Sequence, residues 1–211
     1  MIAQQPYSMA GVRSGMTTRR LDWPATLARK GPEPLMARHL VWRHVPARQR
    51  HLHVLLLDAS GSMRRAGRLA WAKAWVARWM DSAVRWQCEV AILTIGGQGA
   101  QWLWRPRVAR RAGIERLRLL GGGGGTPLAA GLAEVDRLLS VYRHMPVSLW
   151  LLTDGRTTQE PSPPQGLARF VLVDFDDPVR PLGNCQMWAR HWKAEYLRPL
   201  LPASPIWQEN R

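Results

Sequence analysis

The sequence predicts an α/β fold: a doubly wound, Rossmann-like, mainly parallel sheet with helices on both faces. Three observations predict it. Short, almost uninterrupted apolar runs recur along the chain, as expected of strands buried on both faces. Segments of helical period separate them, the alternation that builds parallel sheets. Several of the junctions carry Asp, Ser, Thr or Gly immediately after an apolar run, where such a sheet places its binding loops.

The elements follow in order. His51–Leu57 (HLHVLLL) reads as the first buried strand, ending abruptly at Asp58. Arg65–Trp86 reads as a helix, because Trp71, Trp75 and Trp79 recur at i, i+4 and i+8 and Trp86 continues their face. Its other positions are largely Ala, Val and Met, so it is expected to be covered on more than one side. Glu89–Ile95 is the next strand, and Gln101–Arg105 an edge strand after a turn at Gly96-Gly97. Val108–Leu120 reads as a helix, Gly121–Gly125 as a loop of five glycines, and Pro127 as the first turn of a helix running to Arg143. Val147–Thr153 and Phe170–Asp174 are further strands, and a last helix is expected over Trp188–Leu197.

Length and composition bound the organisation. The 211 residues, 46% apolar and 21% charged, suit one domain of about 150 residues with extensions. Residues 1–50 hold nine basic and two acidic residues, four interrupting prolines from Pro24 to Pro46, and no sustained period. They are expected to form a basic arm, followed by the α/β domain over 51–198 and a tail over 199–211.

Charge is lopsided: 30 basic against 15 acidic residues, with 27 of the 30 being Arg. Acidic partners are implied. Cys88 and Cys185 form no CxxC pair, which excludes a zinc ribbon and a disulfide scaffold. No stretch approaches the ~18 apolar residues of a membrane span, and no apolar block of a signal peptide opens the sequence. A cytoplasmic protein without a membrane partner is the expectation.

The chemistry concentrates in three segments at strand-to-helix junctions. These are Asp58-Ala-Ser60-Gly-Ser62, the glycine loop ending in Thr126, and Thr153-Asp154-Gly155. If they converge, two carboxylates and three hydroxyls meet at one sheet edge. All are hard oxygen donors, suited to Mg²⁺ or Ca²⁺ rather than Zn²⁺ or Cu²⁺. Two negative charges leave a divalent ion near neutrality and open to one further carboxylate from outside. Taken singly, each segment also suits a helix cap or a turn.

The pattern D-x-S-x-S, a distant Thr and a distant T-D-G resembles the metal-ion-dependent adhesion site of von Willebrand factor A domains. Asp58, Ser60, Ser62, Thr126 and Asp154 match its five positions. The stretches LLLDASGSM, GGGGGTPLAAGL and LLTDGR are similar to the C-terminal domain of magnesium chelatase D subunits, with related domains in cobalt chelatase. DWPATLARKG and HLVWRHV resemble the segment preceding that domain in small bacterial members.

The resemblance implies a Mg²⁺-binding adaptor, not itself the catalyst, in an ATP-dependent chelatase inserting Mg²⁺ or Co²⁺ into a tetrapyrrole. A partner's acidic side chain would complete the ion's shell. The implied partners are an AAA+ ATPase subunit and a large tetrapyrrole-binding subunit; the alternative is a MoxR-type AAA+ ATPase that matures another metalloenzyme. The family's full-length subunit also carries an AAA+-like module and an acidic Pro-rich linker, which these 211 residues do not contain.

Competing readings are weaker on the residues. No GK[ST] follows the glycines, so no nucleotide is expected to bind this chain. An aspartyl-phosphate chemistry at Asp58 lacks a second carboxylate two residues on, where Ser60 stands, and has only Lys30, Lys73 and Lys193 to draw on. Arg105, Arg107, Arg110 and Arg111, with Arg116 and Arg118 beyond, form a basic cluster offset only by Glu115. They are assigned to an acidic protein partner in preference to nucleic acid. The acidic group Asp174, Asp176 and Asp177 follows a strand; a place near the metal edge is one reading, and a turn is preferred.

Overall fold

The structure, a computed structural model, describes residues 17–46, 50–157 and 161–199. The expected tail lies outside the described residues from residue 200 on, as do residues 1–16 of the expected arm. The chain divides near Arg50 into two compact units.

The first unit has secondary structure of its own where the sequence suggested only an arm. Strands β1 (Thr17–Leu21) and β2 (Trp42–Pro46) pair antiparallel, and helix α1 (Trp23–Lys30) lies between them in the chain. Asp22 caps α1 by accepting from Ala25 N at 3.1 Å, Pro24 sits in its first turn, and Gly31 ends it at φ 56°. Buried Thr26 accepts from Val41 N at 3.0 Å. Prolines that forbid a long helix thus start and space a short one.

In the second unit six strands form one sheet in the order β5-β4-β3-β6-β7-β8. They are β3 (Leu52–Asp58), β4 (Glu89–Gly96), β5 (Gly99–Val108), β6 (Val147–Thr153), β7 (Arg169–Asp174) and β8 (Glu195–Leu197). All neighbouring pairs are parallel except β4–β5, which turns back as an antiparallel hairpin. Every residue of β3 and β6 is buried, as their unbroken apolar runs require.

Helices cover both faces, so the doubly wound expectation holds. On one face Leu52, Val54 and Leu56 pack with Leu128, Leu132 and Val135 of α5 (Leu128–Val141) and Trp188 of α6 (Asn184–His191). The opposite face takes α3 (Arg68–Arg85), preceded by the single turn α2 (Gly61–Arg64). Trp71 stands edge-on to Phe175, while Trp75 and Trp79 pack on Trp150 of β6. α4 (Arg111–Arg118) packs against both α3 and β5, and Gly113 makes the close approach: a Cβ there would lie 2.9 Å from Met80 Cε.

Several boundaries differ from expectation. Trp86 falls beyond the end of α3 and is exposed, so it does not share the packed tryptophan face. Val108 ends β5 rather than starting α4, because the Trp102/Trp104 alternation continues past Pro106 on a sheet edge that tolerates proline. The last helix begins at Asn184 and stops at His191; Glu195–Leu197 adds a short parallel strand to β7 instead. Lys193, at φ 53°, makes the turn between them.

Candidate metal centre

The parallel strands β3 and β6 are neighbours, so their carboxyl ends deliver Asp58 and Asp154 to the same edge of the sheet. Both carboxylates are buried, as is Ser60. Asp58 Oδ1 accepts from Ser60 N at 2.9 Å, and its Oδ2 accepts from Thr153 Oγ1 at 2.7 Å. Burial pushes the Asp58 carboxyl above its usual range, the hydrogen bonds from Thr153 and Ser60 opposing that shift and the Asp154 charge adding to it.

The hydroxyls complete a chain across the site. Ser60 Oγ and Ser62 Oγ are 3.0 Å apart, and Ser62 Oγ donates to Asp154 Oδ1 at 3.1 Å. Residues 92 apart in sequence are thereby joined. Asp154 Oδ1 also accepts from Arg156 N at 3.1 Å.

The glycine loop closes the third side by backbone bonds. Gly123 N donates to Ala59 O at 2.8 Å, Gly61 N to Gly124 O at 2.9 Å, and Gly97 N to Gly123 O at 2.8 Å. Gly124 sits at φ 77°, and a Cβ on it would lie 2.3 Å from Gly97 Cα, so only glycine allows this crossing. Thr126, half-buried, follows two residues past Gly124 in the same loop.

All five predicted donors therefore come from the loops that converge here, and four of them, Asp58, Ser60, Ser62 and Asp154, are joined by hydrogen bonds. Their chemistry fits a hard divalent cation held through hydroxyls and two carboxylates. Among the described residues no group of three or more His, Cys, Asp or Glu is placed to hold a metal.

Two arginines at this edge were not legible as site residues. Arg68, the first residue of α3, has only 11% of its side chain exposed. Its Nη1 donates to Asp154 Oδ2 and to Ser62 O, both at 3.3 Å, while Nη2 faces Asp177 Oδ2 at 3.5 Å. Arg156 Nη2 donates to Asp176 Oδ1 at 2.9 Å, and its Nε lies 3.9 Å from Asp154 Oδ2. Asp174, Asp176 and Asp177 do make the turn bonds expected of them, with Asp176 N on Asp174 Oδ1 and Val179 N on Asp177 Oδ1. Asp176 and Asp177 also reach the site, through Arg156 and Arg68 respectively. The one sequence signal was basic residues set close to acidic loops, as Arg156 is to Asp154.

The predicted Arg surface is exposed on β5 and α4. Arg105, Arg107, Arg110 and Arg111 all face solvent, and the guanidinium of Arg107 lies 4.2 Å over the Trp104 ring.

Comparison with known proteins identifies the fold. A solved von Willebrand factor type A protein from Catenulispora acidiphila superposes with a TM-score of 0.55 at 21% identity, over 78% of this chain and 42% of that one. The chain has the von Willebrand factor A fold. No protein-family model matches it. The A domain is similar in sequence to the magnesium-chelatase 60 kDa subunit of Rhodobacter capsulatus, with 38% identity over 105 residues, 49% of this chain and 18% of that protein. An uncharacterized protein of Mycobacterium tuberculosis is 31% identical over 167 residues, 72% of this chain and 26% of its own length. The chain thus spans between 18% and 26% of the length of the curated relatives it matches. No described helix of this A-domain protein is long and apolar enough to cross a membrane.

Proposed function

We propose that this chain is the small von Willebrand A (D-type) subunit of an ATP-dependent metal chelatase, acting as a Mg²⁺-dependent protein-binding adaptor. The assembly would insert Mg²⁺ or Co²⁺ into a tetrapyrrole, in the cytoplasm. The reading is carried by the hydrogen-bonded meeting of the Asp58–Ser62 turn with Asp154, in a domain similar to a magnesium-chelatase subunit.

Asp58, Ser60, Ser62, Thr126 and Asp154 would hold the ion, as the metal-ion-dependent adhesion site does in other A domains. A Mg²⁺ held by these residues would supply a positive centre able to bind a partner's carboxylate. The chain's own residues set the geometry. Ser60 N and Thr153 Oγ1 fix both oxygens of Asp58, and the glycine loop holds Ala59 and Gly61 so that the serines stay aligned. A AAA+ subunit would hydrolyse ATP and a large subunit would hold the tetrapyrrole, with no nucleotide on this chain. Arg105, Arg107, Arg110 and Arg111 would meet an acidic face of the assembly.

The test is capture by the tagged full chain from native lysate, in Mg²⁺ and in EDTA, with mass spectrometry of what is bound. An AAA+ ATPase with a very large chelatase subunit, lost in EDTA and lost in Asp58→Ala and Asp154→Ala, is expected. Capture unchanged in both variants would overturn the metal bridge. A MoxR-type ATPase without a chelatase subunit would move the adaptor to maturation of another metalloenzyme.

A further inference from the structure

We propose that Arg68 is the tethered counter-ion of Asp154: it neutralises that carboxylate when no divalent ion is bound, and competition with it sets how tightly the ion is held. This rests on the metal-binding reading above.

The geometry behind it is specific. Asp154 is a buried carboxylate whose Oδ1 is taken by Ser62 Oγ and Arg156 N. Its Oδ2 is left to Arg68 Nη1 at 3.3 Å, with Arg156 Nε farther off at 3.9 Å. Arg156 is already committed, with two nitrogens on Asp176 Oδ1 and a bond to Arg180 O. Arg68 is therefore the cation that answers the Asp154 charge most closely.

The placement of Arg68 is also costly unless that charge is answered. It opens α3, where a cation runs against the helix dipole, and it is nearly nine-tenths buried. Neither feature suits an arginine placed for solubility, and Asp154 and Asp177 supply the compensation. A divalent ion engaging Asp154 brings a second positive centre against the guanidinium, so the ion and Arg68 oppose each other.

Asp177 gives Arg68 somewhere to go. It lies 3.5 Å from Nη2, past the end of β7, and is about one-third exposed. A long side chain can shift its weight from Asp154 to Asp177 without leaving a carboxylate. The acidic residues after β7 thereby serve the metal edge without being ligands.

The experiment uses the full chain as wild type, Arg68→Gln, Arg68→Lys and Arg156→Gln, with MgCl₂ titrated calorimetrically and thermal melts in EDTA and in saturating Mg²⁺. Arg68→Gln should bind Mg²⁺ about ten-fold tighter, because a like charge beside the ion is gone. It should melt lower than wild type in EDTA and recover most of that loss in Mg²⁺. Arg68→Lys keeps the charge and should stay within about three-fold of wild type, as should Arg156→Gln. Wild type that binds Mg²⁺ while Arg68→Gln binds it equally or more weakly overturns the counter-ion and leaves the metal site standing. No Mg²⁺ heat and no rise in melting temperature with Mg²⁺ in either protein overturns both. If Arg68→Gln does not fold, the Nε–Hε resonance of Arg68 in the wild type, identified by its loss in Arg68→Lys, must move on addition of Mg²⁺; an unmoved signal overturns the proposal.

Discussion

Ser62 Oγ donates to Asp154 Oδ1 at 3.1 Å, and this bond ties the turn after β3 to the turn after β6. Its origin is topological. β3 and β6 are parallel neighbours in register from Leu52–Val147 to Leu57–Leu152, so their next residues emerge side by side. The polar side chains that follow the two strands meet each other and Arg68, and the glycine loop bonds to the backbone beside them. The serine is positioned by α2, the aspartate by the end of β6. The bond is thus a consequence of the sheet and a precondition for any ion that uses both groups.

The two carboxylates should respond differently to loss of charge. Asp58 has no cation among its described hydrogen-bond partners and sits where burial disfavours its charge, so Asp58→Asn should leave the melting temperature in EDTA unchanged or raised. Asp154→Asn strips Arg68 of its closest carboxylate. The expected cost in EDTA is about 2 kcal/mol, below the ~3–5 of a broken buried pair because Asp177 and Ser62 O remain. Chemical denaturation of both variants checks this. Equal destabilisation would contradict the assignment of charges, while Mg²⁺-dependent capture should be lost in both.

Gly124 and Gly97 cross so closely that neither tolerates a side chain. Gly124→Ala places a methyl 2.3 Å from Gly97 Cα at a residue already at φ 77°. The loop must lift, breaking the bonds from Gly61 N and Gly97 N. A loss of about 2–4 kcal/mol is expected from strain and lost bonds together. Gly121→Ala in the same loop meets nothing within 4 Å and should be nearly neutral. Thermal denaturation of the pair separates a packing requirement from general loop flexibility.

What the sequence made legible follows from what it can encode locally. Buried strands announce themselves by apolar runs, and the hydrogen-bonded cluster of Asp58, Ser60, Ser62 and Asp154 by polar residues placed where those runs end. The tryptophan period marked α3 and its packed face as far as Trp79. Trp86 escaped because periodicity continues past the residue at which the helix stops. Glu195–Leu197 was read as helix because a three-residue edge strand has no period of its own; β7 decides it. Arg68 was hidden for a different reason: its role depends on Asp154 and Asp177, 86 and 109 residues away, and nothing local distinguishes it from the solvent-facing Arg64 and Arg65.

Acid sensitivity should trace to His53. Burial, with the His51 and Arg169 charges adding to it, lowers its pKa to about 3, while Nδ1 faces the Trp150 indole N–H at 3.5 Å. The unfolded chain takes up this proton near pH 6.5 and the folded one does not until pH approaches 3, so stability is full above 6.5 and falls as pH drops through that interval. By pH 5 the loss from this residue is about 2 kcal/mol. Denaturant melts between pH 7 and 5 avoid most carboxylate titration. His53→Gln, which keeps an acceptor for Trp150, should flatten the slope over that range; an unchanged slope would assign the sensitivity elsewhere.

The arginine face should act through charge and be separable from the metal edge. Arg105 and Arg107 project from edge strand β5, with Arg110 and Arg111 at the start of α4, and all four are exposed. At that exposure they contribute little to stability, so replacing all four with Gln should move the melting temperature only slightly. Arg107 is the partial exception, since its guanidinium also covers Trp104. Their attraction to an acidic partner is screened over about 8–10 Å at physiological salt. The quadruple variant should therefore slow association with the captured ATPase at low salt and lose that defect above about 0.5 M NaCl, while its Mg²⁺ affinity stays at the wild-type value. Surface plasmon resonance across a salt series measures both parts. If the variant instead speeds dissociation equally at every salt concentration, the arginines make buried contacts and Trp104 beneath Arg107 lies within the interface.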